Sequence, residues 1–482
     1  MQTVSCPSCG APVEFKSHAA VMAVCEYCRA SIIKEGDEVK DVGKLSSVLE
    51  DYSPIQIGTA GTFGSLGFTV IGRIQLRYAK GMWNEWYLLF DDASAAWLGD
   101  ASGQFTITTP RKVEGAVPTF EEIVPGNQYS IGAERFTAAD KREGECIGGQ
   151  GELPFRVGDG WRIRAVDLRR ATSFITLDYT EGVVPQVYNG QAVTLPELKC
   201  QLLRSPDDIK ASAGRYRGKL DALDCPSCGS AISYVPGVTT SLACPACSAQ
   251  LDAAGPEATV LAAGAKVDQV ISSLALGAKG NIAGDQYTVI GAMVRADEEG
   301  AIWTEYLLYG ANKGGFLWLV ETDEGWTRAT VLEDWPQEPM AASRVTLGGV
   351  AYDKLYDYVA TVQYAAGAFN WRVAAGDTAQ VYEFQQGPTT LSAELTADEL
   401  TWSRSTPVAT DQIMAWFGKG AAVLNTAPSP SQKAGSPAKF VWWILGLNAI
   451  PLLVNFGGTF WVLIAALIAL FYPAKYFQGD DK

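Results

Sequence analysis

From Arg73 to Tyr78 the chain alternates strictly, with Ile74, Leu76 and Tyr78 on one side and Arg73, Gln75 and Arg77 on the other. A period of two is the repeat of an extended strand, so the pattern predicts one face on a core and one face in water. Ile175, Leu177 and Tyr179 alternate with Thr176 and Asp178 in the same way. Short runs of this kind, punctuated by 49 glycines and rich in Trp, Tyr and Phe, predict twisted antiparallel sheets forming barrels or sandwiches. Helical spacing is scarce. Val42, Leu45, Val48 and Leu49 predict one short helix ahead of a β module, with Val267, Val270, Ile271 and Leu274 as its counterpart.

The strand patterns recur. FTVIG at Phe68 to Gly72 returns as YTVIG at Tyr287 to Gly291, WNEWYLL beginning at Trp83 as WTEYLL beginning at Trp303, and Trp97-Leu98 as Trp318-Leu319. Further on, Gly158-Asp159 answers Gly376-Asp377, and ITLDYTEG from Ile175 answers LSAELTAD from Leu391. The bulk of the chain is thus one unit written twice.

Each copy begins with four cysteines, Cys6, Cys9, Cys25 and Cys28, then Cys225, Cys228, Cys244 and Cys247, both spaced C-x2-C-x15-C-x2-C. Two C-x-x-C turns facing one another make the sulfur cage that structural zinc prefers, and four thiolates leave no coordination position for a reacting water. The expectation is two structural Zn2+ ions. A disulfide framework would call for a secretory leader and a thioredoxin-like pair for a single C-x-x-C on a βαβ unit, and neither context is seen. Thiolate ligands imply a reducing compartment. Cys146 and Cys200 have no partner at ligand spacing and read as inert thiols, and His18, the one histidine, reads as a loop residue.

Near the C-terminus, NTAPSPSQKAGSPA from Asn425 to Ala438 has a tether's composition. Phe440 to Ala474 then carries no charge, and as one helix would be about 50 Å long against a hydrocarbon core of about 30 Å. Asn455-Phe456-Gly457-Gly458 supplies a turn, so the reading is a transmembrane hairpin with Lys433, Lys439, Lys475 and Lys482 on the cytoplasmic side. A single span from Leu452 to Tyr472, preceded by an interfacial segment, is the rival reading, with Pro451 as the breaker. The fold class expected is mainly β: two tandem zinc-ribbon plus β-barrel or sandwich-like modules, then a transmembrane helical hairpin. The divisions are ribbon 1–35, module 50–205, ribbon 220–252, module 270–405, linker 421–438 and hairpin 439–475.

Composition narrows the function. A net charge of −15 over 482 residues, and a second ribbon without Lys or Arg, weigh against nucleic acid as a partner. Phosphate-binding, dinucleotide, metalloprotease and serine-hydrolase motifs are absent from the sequence, so no catalytic residue is assigned.

The CPSCG ribbon, GFTVIG, W-x-E-[WY] with its leucines and the later W-L, all present twice, resemble the bacterial domain-of-unknown-function family numbered 4178. The resemblance covers roughly 50–205 and 270–405. It implies a β-rich domain in uncharacterised proteins whose relatives are encoded near membrane-stress and polyamine-metabolism proteins, and it carries over no catalytic residue. The function expected is a scaffold or sensor at the inner face of the cytoplasmic membrane, its β modules in the cytoplasm and bound to a membrane or membrane-associated protein. An alternative site is Trp83, Glu85 and Trp86 with the twins Trp303, Glu305 and Tyr306, where aromatic faces beside a carboxylate would attract a polyamine or other organic cation. Opposed to it, alternation puts Trp86 across the strand from Trp83 and Glu85, leaving the tryptophans in cores and the glutamate paired with Arg73 or Arg77. An enzyme built on paired carboxylates, Asp159 with Asp167 or Asp377 with Glu383, is the third reading.

Overall fold

The computed structural model describes residues 2–17, 20–28, 30–35, 38–44, 53–101, 103–113, 115–158, 161–205, 208–209, 222–233, 241–252, 259–262, 273–310 and 315–418. The expected linker and membrane hairpin, and His18, lie outside the described residues. Among the described residues no helix is long and apolar enough to cross a membrane.

The first copy contains β1 (Gln2–Ser5), β2 (Pro12–Phe15), β3 (Met22–Val24), β4 (Ala30–Glu35), β5 (Glu38–Lys44), β6 (Ala60–Phe63), β7 (Leu66–Tyr78), β8 (Gly81–Phe90), β9 (Ala95–Ala101) and β10 (Gln104–Arg111). It continues through β11 (Gln128–Ile131), β12 (Glu134–Leu153), β13 (Arg162–Arg170), β14 (Ser173–Asp178) and β15 (Gln186–Val193). The second repeats them as β16 (Ala222–Asp224), β17 (Ala231–Ser233), β18 (Ser241–Ala243), β19 (Gln250–Asp252), β20 (Thr259–Ala262), β21 (Lys279–Ile282), β22 (Asp285–Ala296), β23 (Ile302–Gly310), β24 (Gly315–Thr322) and β25 (Gly325–Val331). The last strands are β26 (Arg344–Leu347), β27 (Val350–Phe369), β28 (Thr378–Gln386), β29 (Thr389–Leu395) and β30 (Leu400–Val408), followed by helix α1 (Thr410–Phe417).

In each copy eight antiparallel strands close on themselves. The order β7-β8-β9-β10-β15-β14-β13-β12 returns to β7, and β22-β23-β24-β25-β30-β29-β28-β27 returns to β22. Closure needs close backbone approach, which explains the glycine of the recurring TVIG motif. A Cβ on Gly72 would lie 1.8 Å from the Glu152 carbonyl oxygen, and one on Gly291 2.7 Å from that of Ala368.

The second knuckle of each cysteine ribbon is knitted into these sheets, while β1–β2 and β16–β17 form separate two-stranded sheets. β3 pairs with the end of β12 through Met22↔Leu153 and Val24↔Gly151, and β18 pairs with β27 through Leu242↔Ala368. The Glu152 carboxylate accepts the Lys16 and Ser17 amides at 2.7 and 2.9 Å, tying the first ribbon down again.

Two expectations are corrected. Val42 lies in strand β5, which pairs with β4 as a hairpin, and is not helical. Leu45, Val48, Leu49, Val267, Val270 and Ile271 fall outside the described residues, and Leu274 is a buried residue at a bend. The polar faces of the alternating strands are also not in water. Ile175 and Leu177 point outward into a cluster with Phe120, Ile123 and Phe136, which covers the outside of the barrel, so Thr176 and Asp178 face the lumen. On β7 it is Ile74 and Leu76 that face inward, while Arg73 and Gln75 are buried outside, only 2% and 1% exposed. There Asn84 Oδ1 accepts bonds from Arg73 Nε at 3.0 Å and Gln75 Nε2 at 3.2 Å. The barrel is therefore packed on both sides of its wall.

The two barrels belong to one compact unit. The β29–β30 turn of the second seals one end of the first: Lys141 N donates to the Asp398 carbonyl at 3.0 Å and Lys80 Nζ meets the Asp398 carboxylate at 2.9 Å. Beside it, Arg169 stacks on Trp335 at 5.1 Å.

Candidate functional site

The cysteines gather as their spacing predicts. In each set the four sulfurs lie within 4.8 Å of one another. Cys6 and Cys28 sulfurs are 3.6 Å apart, Cys9 and Cys25 3.7 Å, Cys225 and Cys247 3.9 Å, and Cys228 and Cys244 3.7 Å. A tetrahedron with metal–sulfur bonds of about 2.3 Å has edges of about 3.8 Å, so the spacing suits one metal ion and is far too wide for a disulfide. Gly10 and Gly229 turn at φ of 79° and 75°, and each donates its amide to the first cysteine's carbonyl, at 2.8 and 2.7 Å, closing the knuckle. The Ala30 amide beside the Cys28 sulfur lowers that thiol to about 7, and the Ser230 hydroxyl and amide lower Cys228 to about 6. Within the same sets neighbouring thiols raise Cys9 and burial raises Cys244, each to about 12, so without a metal the four sulfurs share their protons unevenly. These two clusters could hold a metal ion.

Cys146 and Cys200 stand apart, their thiols pushed up to about 11, mainly by burial.

The lumens hold the second set of chemistry-bearing groups. Trp83 and Glu85 point into the first barrel, where Trp83 Nε1 donates to Glu85 Oε1 at 2.9 Å. Trp86 lies on the other side of the wall, 1% exposed, with the Arg73 guanidinium 4.6 Å above its ring. The second barrel divides its residues in the same way. Trp303 Nε1 donates to Glu305 Oε1 at 2.7 Å, while Tyr306 outside stacks on Trp326 at 5.6 Å and donates to Glu321 at 2.8 Å. The wall thus separates each aromatic–carboxylate pair from the third residue.

The first lumen encloses a cavity of about 160 Å³. Glu85 is joined there by Asp167, Asp178 and Asp140, and by Arg142 and Arg169. Arg142 Nη2 pairs with Asp140 at 2.9 Å and its guanidinium lies 4.9 Å from the Tyr78 ring and 5.4 Å from that of Trp83, so the protein's own cation occupies that aromatic face. Burial, with Asp167 nearby, pushes the Glu85 carboxyl up to about 8. The folded chain then keeps a proton that the unfolded chain sheds near the ordinary carboxylate value, and this group's contribution to stability falls as pH rises between the two. Glu85→Gln is expected to flatten that fall, so melting temperatures of parent and variant should diverge from about pH 5 to about pH 8. Parallel curves would contradict it.

Of the carboxylates paired on sequence grounds, Asp167 and Glu383 line the two lumens. Asp167 accepts the Thr176 hydroxyl at 2.7 Å and Glu383 that of Tyr358 at 3.1 Å. Asp377 instead caps a turn by accepting the Ala374 amide at 2.8 Å, and Asp159 lies outside the described residues. Sequence reasoning missed Asp140, Arg142, Arg295 and Glu394. Their signal was alternation, which shows that two residues share a face without showing whether that face is a lumen or open water.

Barrel closure and sheet-borne cysteine clusters define a tandem β-barrel protein with two metal-type four-sulfur centres. The chain belongs to the family described as a domain of unknown function (DUF4178), whose model matches residues 56–195 and 275–410. Each match spans one barrel from its first hairpin to its last strand and leaves the four-cysteine clusters outside. No curated protein and no solved structure matches the chain.

Proposed function

We propose that this protein is a non-enzymatic scaffold or sensor, anchored by residues 439–475 in the cytoplasmic membrane, with two zinc-stapled barrels that hold a protein partner at the inner face. The observation that carries this reading is the construction of each cysteine cluster into the sheet of its barrel. Four thiolates complete the coordination of zinc, so the ion would act as a staple and the barrel as a rigid platform. The cysteines call for a reducing compartment, and the lysines flanking the uncharged stretch favour cytoplasmic termini. The lumen carboxylates are met by Arg, Thr, Tyr and Trp donors, an arrangement that serves binding as readily as catalysis.

Membrane fractionation and metal analysis test the reading together. The full chain is expected to sediment with membranes, withstand an alkaline wash and carry two zinc equivalents, whereas a chain ending at Ala438 should stay in the supernatant. A partner cross-linked to the full chain should be lost from a variant with Cys25→Ser and Cys244→Ser. Recovery of the full chain in the soluble fraction would sink the anchoring, and a metal-free chain with unchanged folding would sink the staple.

A further inference from the structure

The duplicated barrels can be superposed by their strand registers, and one of the inward-facing positions at which they differ is the residue opposite the lumen tryptophan. Trp83 stands opposite Leu76, and Trp303 opposite Arg295. On the far wall, Asp178 is reached from Arg142 through Ala165, and Glu394 from Tyr358 through Val381, so Asp178 and Glu394 hold the same place. In the second barrel one guanidinium nitrogen, Arg295 Nη1, bridges Glu305 at 3.0 Å and Glu394 at 2.9 Å, with the guanidinium 5.9 Å from the Trp303 ring. The first barrel keeps both carboxylates, Glu85 and Asp178, and the tryptophan, but has an uncharged leucine where the arginine should start.

Two features show what this leaves. Glu85, Asp178 and Tyr188 line the same lumen. Arg142 pairs with Asp140 and lies 5.4 Å from the Trp83 ring, the place that Tyr358 takes against Trp303 in the second barrel at 5.7 Å, and Arg169 is stacked between Phe174 at 5.2 Å and Trp335 at 5.1 Å. The lumen also has room, since it contains the cavity of about 160 Å³.

We propose that the lumen of the first barrel binds a small organic cation, an alkylguanidinium or primary alkylammonium, whose charged head lies between Glu85 and Asp178 in the place that the Arg295 guanidinium takes in the second barrel. The second barrel carries its cation covalently and takes no ligand. The chemistry is that of Arg295 itself: a charged donor shared by two carboxylates, with an alkyl stem running along Ile74 and Leu76. This rests on the reading of the protein as a binding protein and gives one of its modules a ligand class.

Calorimetric titration of the full chain in detergent with n-butylguanidinium and n-butylammonium tests it, with n-butanol and butyrate as uncharged and anionic controls. The expected result is one cation bound per chain and neither control. At pH 9, above the value to which burial pushes the Glu85 carboxyl and where both probes keep their charge, Glu85→Gln should weaken binding about tenfold to a hundredfold, the scale of one charge-assisted hydrogen bond. Leu76→Arg should abolish binding by filling the site from within, whereas Glu305→Gln should leave it unchanged. Should Leu76→Arg fail to fold, Glu85→Gln decides alone, since it preserves the side chain's shape. No binding of either cation by the parent chain, or equal affinity in Glu85→Gln, would overturn the proposal. Fractionation of the same Glu85→Gln chain separates the two readings, because a membrane-bound chain that ignores cations loses its ligand and keeps its scaffold role.

Discussion

Chelating the proposed zinc is expected to lower the melting temperature by more than about 10 °C and to release the ribbon strands from the barrels. Structural zinc contributes an apparent binding free energy of about 10–16 kcal/mol in small domains, as large as the whole stability of many domains. Here that energy would act at the closure seam. Cys25 follows β3 directly, β3 pairs with β12, and β12 is also the strand that closes the barrel on β7. Cys6, Cys25, Phe15, Ala30 and Ile32 form one small buried cluster, too small to hold together without the ion. The outer clusters around Trp86 and Phe136 contain no ribbon residue, so much of the strand signal in far-ultraviolet circular dichroism should survive while near-ultraviolet signal falls. Cys25→Ser should halve the metal content and destabilise the first copy alone. An unchanged melting temperature after verified removal of the metal would refute the staple.

Arg295→Met is expected to cost about 3–5 kcal/mol, the range for removing one partner of a buried ion pair. The guanidinium is only 6% exposed and Glu305 only 11%, so water cannot replace the lost cation. Burial already raises the Glu305 carboxyl, and Arg295 is what opposes that rise. Without it the carboxyl must stay protonated or remain an unpaired buried charge, so the variant's deficit should grow as pH rises above the ordinary carboxylate value. Adding Glu305→Gln should recover much of the loss in a double-mutant cycle. Denaturant unfolding of the four chains measures it, and a deficit under about 0.5 kcal/mol would show that the bridge contributes nothing net.

Much of the architecture was legible in the residues. The 15-residue spacer between C-x-x-C pairs announced both four-sulfur clusters, and the recurring TVIG and W-x-E motifs announced the duplication. Alternation also separated Trp83 and Glu85 from Trp86, and the barrel wall separates them. The pairing of Glu85 was not legible. Its partner is Trp83, two residues away, while Arg73 bonds Asn84 on the opposite face. For Glu305 the partner is an arginine, Arg295, from the adjacent strand, at a position where the first copy has leucine.

The division has a physical cause. Local covalent spacing sets which cysteines can meet round one ion and which strand residues share a face, and both are properties of a few consecutive residues, so the sequence by itself determined them. Which face is inside is not local. It was decided when β12 met β7 and β10 met β15, closing the sheet, and when 115–131 and the segments flanking β6 and β15 covered its outside. Closure turned polar faces such as Thr176 and Asp178 from expected surface into lumen, and so gave the first barrel a carboxylate-lined cavity and the second a buried arginine bridge.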